Sequence, residues 1–176
     1  MSIVISPLTN NDFQTLIDWA EDEKILLQWA GPYFKYPLTN AQLAEYLAPT
    51  RHKNPVRYIF RALDEADIMV GMAELNVVDR ANETATLCRI FVDKNRRGRG
   101  HADSIIKQVL SYGFDILKLN RIDLKVFTFN SAAIKSYERL GFVREGLMRK
   151  VSKFNKEYWD CYIYSMLKEE WISRRN

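Results

Sequence analysis

Arg97-Gly98-Arg99-Gly100-His101-Ala102 joins an apolar run, Leu87-Cys88-Arg89-Ile90-Phe91-Val92, to a segment in which Ala102, Ile105, Ile106, Val109, Leu110 and Leu117 recur at helical spacing. The run predicts a buried strand and the spacing predicts a helix. A basic loop with two glycines therefore lies between a strand and a helix N-terminus. First-turn N–H groups have no partner inside a helix, and the helix dipole puts its positive end there. Such a loop suits phosphate. Glycine matters because a Cβ would block the phosphate or forbid the backbone angles. The common nucleotide fingerprints are absent. No Gly-Lys-Ser/Thr closes a Walker loop, and Gly98-x-Gly100 runs on to Asp103 where a dinucleotide loop needs a third glycine.

A second segment lies downstream, after a predicted helix and strand. It reads Asn130-Ser131-Ala132-Ala133-Ile134-Lys135-Ser136-Tyr137-Glu138-Arg139-Leu140-Gly141-Phe142. Asn130 is a good N-cap. Ala133, Tyr137 and Leu140 share one face. Gly141 predicts a left-handed stop. The loop resembles Arg/Gln-x-x-Gly-x-Gly/Ala, with Arg97, Gly100 and Ala102 in the defined positions. The later segment resembles Asn-x-x-Ala-x-x-x-Tyr-x-x-x-Gly-Phe. Together they resemble the GNAT superfamily of N-acetyltransferases, at least from Val70 to the end. The ending Asp160-Cys161-Tyr162-Ile163-Tyr164-Ser165-Met166-Leu167, with Phe142 to Gly146 upstream, is similar to the branch of ribosomal-protein alanine and spermidine acetyltransferases.

The order of elements predicts an α+β fold. Strands are expected at Val4–Leu8, Val56–Leu63, Ile68–Val77, Thr84–Val92 and Arg121–Phe127, with a closing hairpin of Val143–Phe154 and Tyr158–Trp171. Helices are expected at Asn11–Trp19, Glu23–Trp29, a capping-box helix from Thr39 to Leu47, about Gly100 to Lys118, and Ser131–Leu140. This is a mixed, mostly antiparallel sheet with helices on both faces. It matches the GNAT order of elements, as one N-acetyltransferase domain over 1–176.

Bulk properties agree. A chain of 176 residues carries a sizeable core and is small for two domains. No run reaches membrane-spanning length, and the N-terminus predicts no secretory signal. Cys88 and Cys161 read as reduced core thiols of a cytoplasmic protein, and His52 and His101 give no metal spacing. Residues 1–93 carry eight Lys/Arg against thirteen Asp/Glu, whereas 94–176 carry eighteen against nine. That asymmetry suits a polyanion on one side and a cationic acceptor on the other.

The resemblance implies direct acetyl transfer from acetyl-CoA to a primary amine, without metal, in a monomer or homodimer. Positioning then supplies most of the barrier reduction. It implies that Ile90, Phe91 and Val92 pair with the pantetheine arm. It also implies that Arg97, Gly98, Arg99, Gly100, His101 and Ala102 hold the pyrophosphate. Asn130 is expected to bond the pantetheine or hold the helix start, and Lys135 to reach an adenosine phosphate. Tyr137 matches the family tyrosine that protonates the leaving thiolate; its alternative is a packing tyrosine. Glu74, which interrupts the apolar strand Met69 to Leu75, is the candidate base; its alternative is a solvent-facing strand glutamate. Trp29, Tyr33, Phe34 and Tyr36, beside Glu21-Asp22-Glu23, either line a cationic-amine pocket or pack the helical layer. The acceptor stays open among a peptide N-terminus, a polyamine, an antibiotic amine and an amino acid. Two other readings compete. One is a non-catalytic acyl-CoA-binding regulator. The other is a nucleic-acid-binding module, against which stand the short basic run and the acidic N-terminal half.

Overall fold

The predicted strand segments assemble into one seven-stranded sheet in the computed structural model, which describes residues 3–175. The strands are β1 (Val4–Pro7), β2 (Tyr58–Leu63), β3 (Met69–Asp79), β4 (Thr84–Val92), β5 (Arg121–Phe127), β6 (Val143–Phe154) and β7 (Glu157–Leu167). Their order across the sheet is β1-β2-β3-β4-β5-β7-β6. Every neighbouring pair is antiparallel except β4 and β5, which run parallel.

Helices cover both faces. On one lie α1 (Phe13–Trp19), α2 (Glu23–Ala30) and α3 (Asn40–Leu47). Their Leu16, Leu26, Leu43 and Tyr46 pack against Ile59, Met72 and Phe91 of the sheet. On the other lie α4 (His101–Ser111) and α5 (Ser131–Leu140). There Ile105, Val109 and Leu110 meet Ala73, Leu75, Leu87, Ile122 and Leu124. The strand period of two sorts β5 cleanly: Ile122, Leu124 and Val126 are buried in this second core, while Arg121, Asp123 and Lys125 alternate with them.

The sheet is not continuous at its centre. Pairing of β4 with β5 is confined to Thr84, Ala85 and Thr86 against Arg121, Ile122 and Asp123. Beyond these residues the two strands part. A bulge in β4 accompanies the divergence. Phe91 pairs with Met72 and Cys88 with Glu74, so Arg89 and Ile90 together oppose Ala73. Arg89 takes φ of 48°, unusual for a residue with a Cβ. Its carbonyl is re-aimed and accepts a hydrogen bond from Trp29 Nε1 at 3.0 Å.

Two local expectations change. The chain enters α1 through a 3-10 turn, Asn10–Asp12, where Thr9 N donates to Asp12 Oδ2 at 2.7 Å. The last strand stops at Leu167, and Lys168–Ser173 forms a helix, α6, where the alternation had been extended to Trp171. Leu167 N donates back to Glu170 Oε2 at 2.8 Å, which starts the helix, and Trp171 is buried beside Phe114. Gly141 closes α5 with φ of 99°, the left-handed stop its position predicts.

The edge strand β6 is tied inward by one carboxylate. Glu145 receives Arg121 Nη1 and Nη2 of β5 at 2.7 and 2.6 Å and the Ser165 hydroxyl of β7 at 2.7 Å. The bonds from Arg121 and then Ser165 hold its pKa down at about 2. A carboxylate depressed on folding stabilises above its unfolded pKa and loses that contribution as pH falls through its folded pKa. Glu145→Gln is therefore expected to lower stability at pH 7 by about 0.5 kcal/mol, a value discounted for solvent screening. The difference from the parent protein should shrink between about pH 4.5 and 2 in denaturant titrations.

Candidate active site

The loop after β4 turns back on itself before α4. Arg97 Nε donates to the Val92 carbonyl at 3.2 Å. Gly98 and Gly100 take φ of 75° and 77°, so both need the conformation that glycine supplies. Gly100 caps α4, and no side chain hydrogen-bonds to the first turn. Open space surrounds the position of a Cβ at either glycine. The first-turn N–H groups thus face a cavity, of about 730 Å³, walled by the end of β4, the loop, α4 and α5. This is a cradle for an anionic group. Its basic rim is partly committed: Arg96 pairs with Asp64 at 3.1 Å, and Lys94 pairs with Glu21. Arg139 of α5 forks onto Asp103 of α4 at 2.8 and 2.9 Å, with Ser136 bonded to the same carboxylate, so one acid joins the two helices at the cavity edge.

A second chamber, of about 560 Å³, opens where β4 and β5 part, toward α2 and the β6–β7 hairpin. Gln28, Trp29, Ile90, Asn130 and Tyr137 line both chambers. The strand divergence therefore makes one passage through the sheet, with Tyr137 at its waist. Asn130 Oδ1 accepts from Ala133 N at 3.3 Å and starts α5, which sets where Tyr137 stands two turns later. Burial, and next the nearby Cys88, push the Tyr137 phenol well above its ordinary pKa. Tyr137 is thus a neutral O–H donor across the working range. Cys88 is itself pushed up to about 12, first by burial and then by Glu74, so it too is uncharged.

Glu74 lies elsewhere. It is fully buried. Arg89 Nη1 donates to its Oε2 at 2.9 Å, and the Tyr46 hydroxyl donates to the same oxygen. Arg57 Nε stands 3.0 Å from Oε1 as an ion pair, although its N–H is directed to Asn76 Oδ1 at 3.4 Å. Tyr33 and Tyr46 stack on both guanidinium groups, at 4.7 to 5.6 Å from ring centroid to Cζ.

The structure brings Ile90, Phe91, Val92, Arg97, Gly98, Gly100, His101, Ala102, Asn130 and Tyr137 to the first cavity. Arg99 and Lys135 do not line it, and both are exposed. Arg139, one helical turn beyond Lys135, stands at the cavity instead. His101 lines it with its side chain largely buried, and among the described residues its Nε2 has no partner. Glu74 lines neither chamber, and it is not solvent-facing either. Of the aromatic cluster, Phe34 is buried in the helical layer, Trp29 stacks on Phe34 and Phe91 at centroid distances of 5.8 and 4.9 Å and also lines both chambers, and Tyr33 and Tyr36 are exposed. Glu21 falls on the side of the first cavity, paired with Lys94. Arg89 lines the second chamber without any motif to mark it; a charged residue inside an apolar strand is the local signal it carries.

A glycine loop at a helix N-terminus, an extended strand edge and a neutral phenol at the waist are the parts that a two-substrate group transferase needs. The acetyltransferase (GNAT) family model matches residues 23–142. The chain is 35% identical over 107 residues to the uncharacterized N-acetyltransferase p20 of Bacillus licheniformis, a match spanning 61% of this chain and 60% of that protein. It is 30% identical to the prophage-derived uncharacterized N-acetyltransferase YokL of Bacillus subtilis, over 85% of this chain and 81% of that one. Among solved structures, the spermidine N-acetyltransferase of Vibrio cholerae in complex with CoA and spermine superposes with a TM-score of 0.85 at 25% identity. That superposition covers 97% of this chain and 98% of that one. The chain belongs to the GNAT family and is an N-acetyltransferase.

Glu74→Gln would leave two buried guanidinium groups without their counter-charge. It is expected to lower unfolding stability by about 3 kcal/mol or more, because breaking one partner out of a buried ion cluster strands the others. Chemical denaturation monitored by tryptophan fluorescence measures the loss.

Proposed function

We propose that the first cavity binds acetyl-CoA, with the pyrophosphate on the loop from Arg97 to Ala102 and the first turn of α4. The acceptor amine enters through the second chamber. The carrying observation is the passage between the two chambers, lined from both sides by Ile90, Asn130 and Tyr137. A likeness to a spermidine acetyltransferase bound to CoA supports the donor. We also take the chain as one domain and its place as the cytoplasm; among the described residues no helix is long and apolar enough to cross a membrane.

The reaction follows from the residues at the waist. The amine nitrogen attacks the thioester carbonyl carbon, the C–N bond forms and the C–S bond breaks. The thiolate leaves with the Tyr137 hydroxyl proton, and the new amide loses its extra proton to water, from which the phenol is restored. Tyr137 suits this role because it lines both chambers and its hydroxyl is a neutral donor at working pH. Glu74 does not act as the base in this scheme. Its carboxylate is closed in by Arg57, Arg89 and Tyr46. Arg89 and Lys125 line the acceptor chamber instead, and positive neighbours disfavour an ammonium, so the amine reaches its neutral, nucleophilic form without a strong base.

Two variants test the reading. Gly100→Asp places a carboxylate where open space and first-turn N–H groups now lie, at a φ that aspartate tolerates better than most residues. Calorimetry should show acetyl-CoA binding abolished in a protein whose circular dichroism is unchanged; undiminished affinity would refute the loop assignment. Tyr137→Phe removes only the hydroxyl. Turnover is expected to fall by roughly 10²-fold or more, the usual contribution of a general acid, while acetyl-CoA affinity holds. Single-turnover kinetics, where chemistry limits the rate, makes the measurement.

A further inference from the structure

We infer that the amine acceptor carries an anionic group, as an amino acid or short peptide acid does, and that Arg89 and Lys125 receive it. The inference rests on the assignment of the second chamber to the acceptor.

The charges around that chamber have one sign. Its walls present Arg89, Lys125 and Lys153, and among the described residues no aspartate or glutamate lines it. Glu74 lies behind the wall, but it is shared between two guanidinium groups, so the buried cluster of Arg57, Arg89 and Glu74 carries an excess positive charge. Nothing else in the cluster offsets it: Tyr46 and Cys88 both keep their protons, each first because of burial. Asp123 projects from the same side of β5 as Lys125, but its Oδ1 accepts from the Thr86 hydroxyl at 2.8 Å and its Oδ2 lies 4.0 Å from Arg121 Nε.

A second observation is independent of the charge count. Arg89 Nε is buried and, among the described residues, has no hydrogen-bond partner, although Nη1 of the same guanidinium is bonded to Glu74 and to Cys88 Sγ. A buried guanidinium N–H without an acceptor is costly, and a carboxylate is its best-matched partner. The bulge that turns Arg89 out of the regular strand pairing puts this residue on the wall of the acceptor chamber. Lys125, exposed on β5 across the opening, adds a second cation. A polyamine entering this chamber would meet cations at each of these positions. Glu21 lines the other cavity, where it pairs with Lys94.

The experiment measures thiol release from acetyl-CoA by the purified protein against matched triples: free amino acids, their amides and their decarboxylated amines, with spermidine alongside. In parallel, saturation-transfer NMR on the CoA-loaded protein compares N-acetyl amino acids with N-acetylspermidine. Free acids should exceed their decarboxylated counterparts in kcat/KM by on the order of 10-fold or more, since a site built to pair a group rejects the analogue that lacks it. Lys125→Glu, a surface change that the fold should accept, should reduce that ratio by about 10-fold; its effect on the protonation of the amine acts on both members of a pair and cancels in the ratio. Spermidine or the decarboxylated amines preferred in both assays would overturn the inference and leave the acetyl transfer reading intact. Preferential binding of the N-acetyl acids without thiol release from any amine would sustain the inference and sink the transfer reaction. An acid preference that Lys125→Glu and Arg89→Lys both leave unchanged would overturn the role of these two residues.

Discussion

Everything functional in this molecule depends on the early parting of β4 from β5. Two parallel strands in the middle of a sheet normally hydrogen-bond along their length, because buried backbone groups need partners. Here the pairing ends at Thr86 and Asp123. The remaining length of β4, from Leu87 to Val92, offers an extended edge inside the fold, and the gap beside it joins the two faces of the sheet. The bulge at Arg89 and Ile90 belongs to the same feature. It shifts the register between β3 and β4, turns one carbonyl onto Trp29 and brings α2 over the opening. The loop, the first turn of α4 and Tyr137 are then arranged around a hole that the strands themselves create.

The second constraint is electrostatic. A glutamate without water is tolerated only with strong partners, and Glu74 has two guanidinium groups and a phenol. The cluster ties β3 to β2, β4 and α3, since Arg57 immediately precedes β2 and Tyr46 sits on α3. The residue that reads most easily as a catalytic base thus ties together the strands behind the second chamber. The cluster is left with an excess of positive charge. The same economy appears at Asp103, whose carboxylate takes Arg139 and Ser136 and sets α4 against α5 at the first cavity.

Local sequence carried most of the fold. Alternation in Arg121–Phe127, the glycine stop at Gly141, the cap at Asn130 and the strand–loop–helix around Gly100 are short-range signals, and each element stands where its signal places it. The last strand was overextended because Tyr158–Trp171 is rich in aromatic and apolar residues throughout. The bond from Leu167 N to Glu170, within one turn, outweighed that pattern.

The sequence by itself determined the order of elements, the glycine loop before α4 and the segment that delivers Tyr137, because each is encoded within a dozen or so neighbouring residues. Only the tertiary structure decided which side chains share a space. That Lys135 stands away from the cavity and Arg139 at it depends on how α5 is rotated against α4. Whether Glu74 meets water or two arginines depends on the register of β3 against β2 and β4. The bulge leaves no mark in composition, since arginine rarely adopts a positive φ; it persists because Trp29, sixty residues away in sequence, bonds the carbonyl it exposes. Periodicity records which face of an element is buried, whereas charge compensation and orphaned donors arise between elements, and those relations set the chemistry of the site.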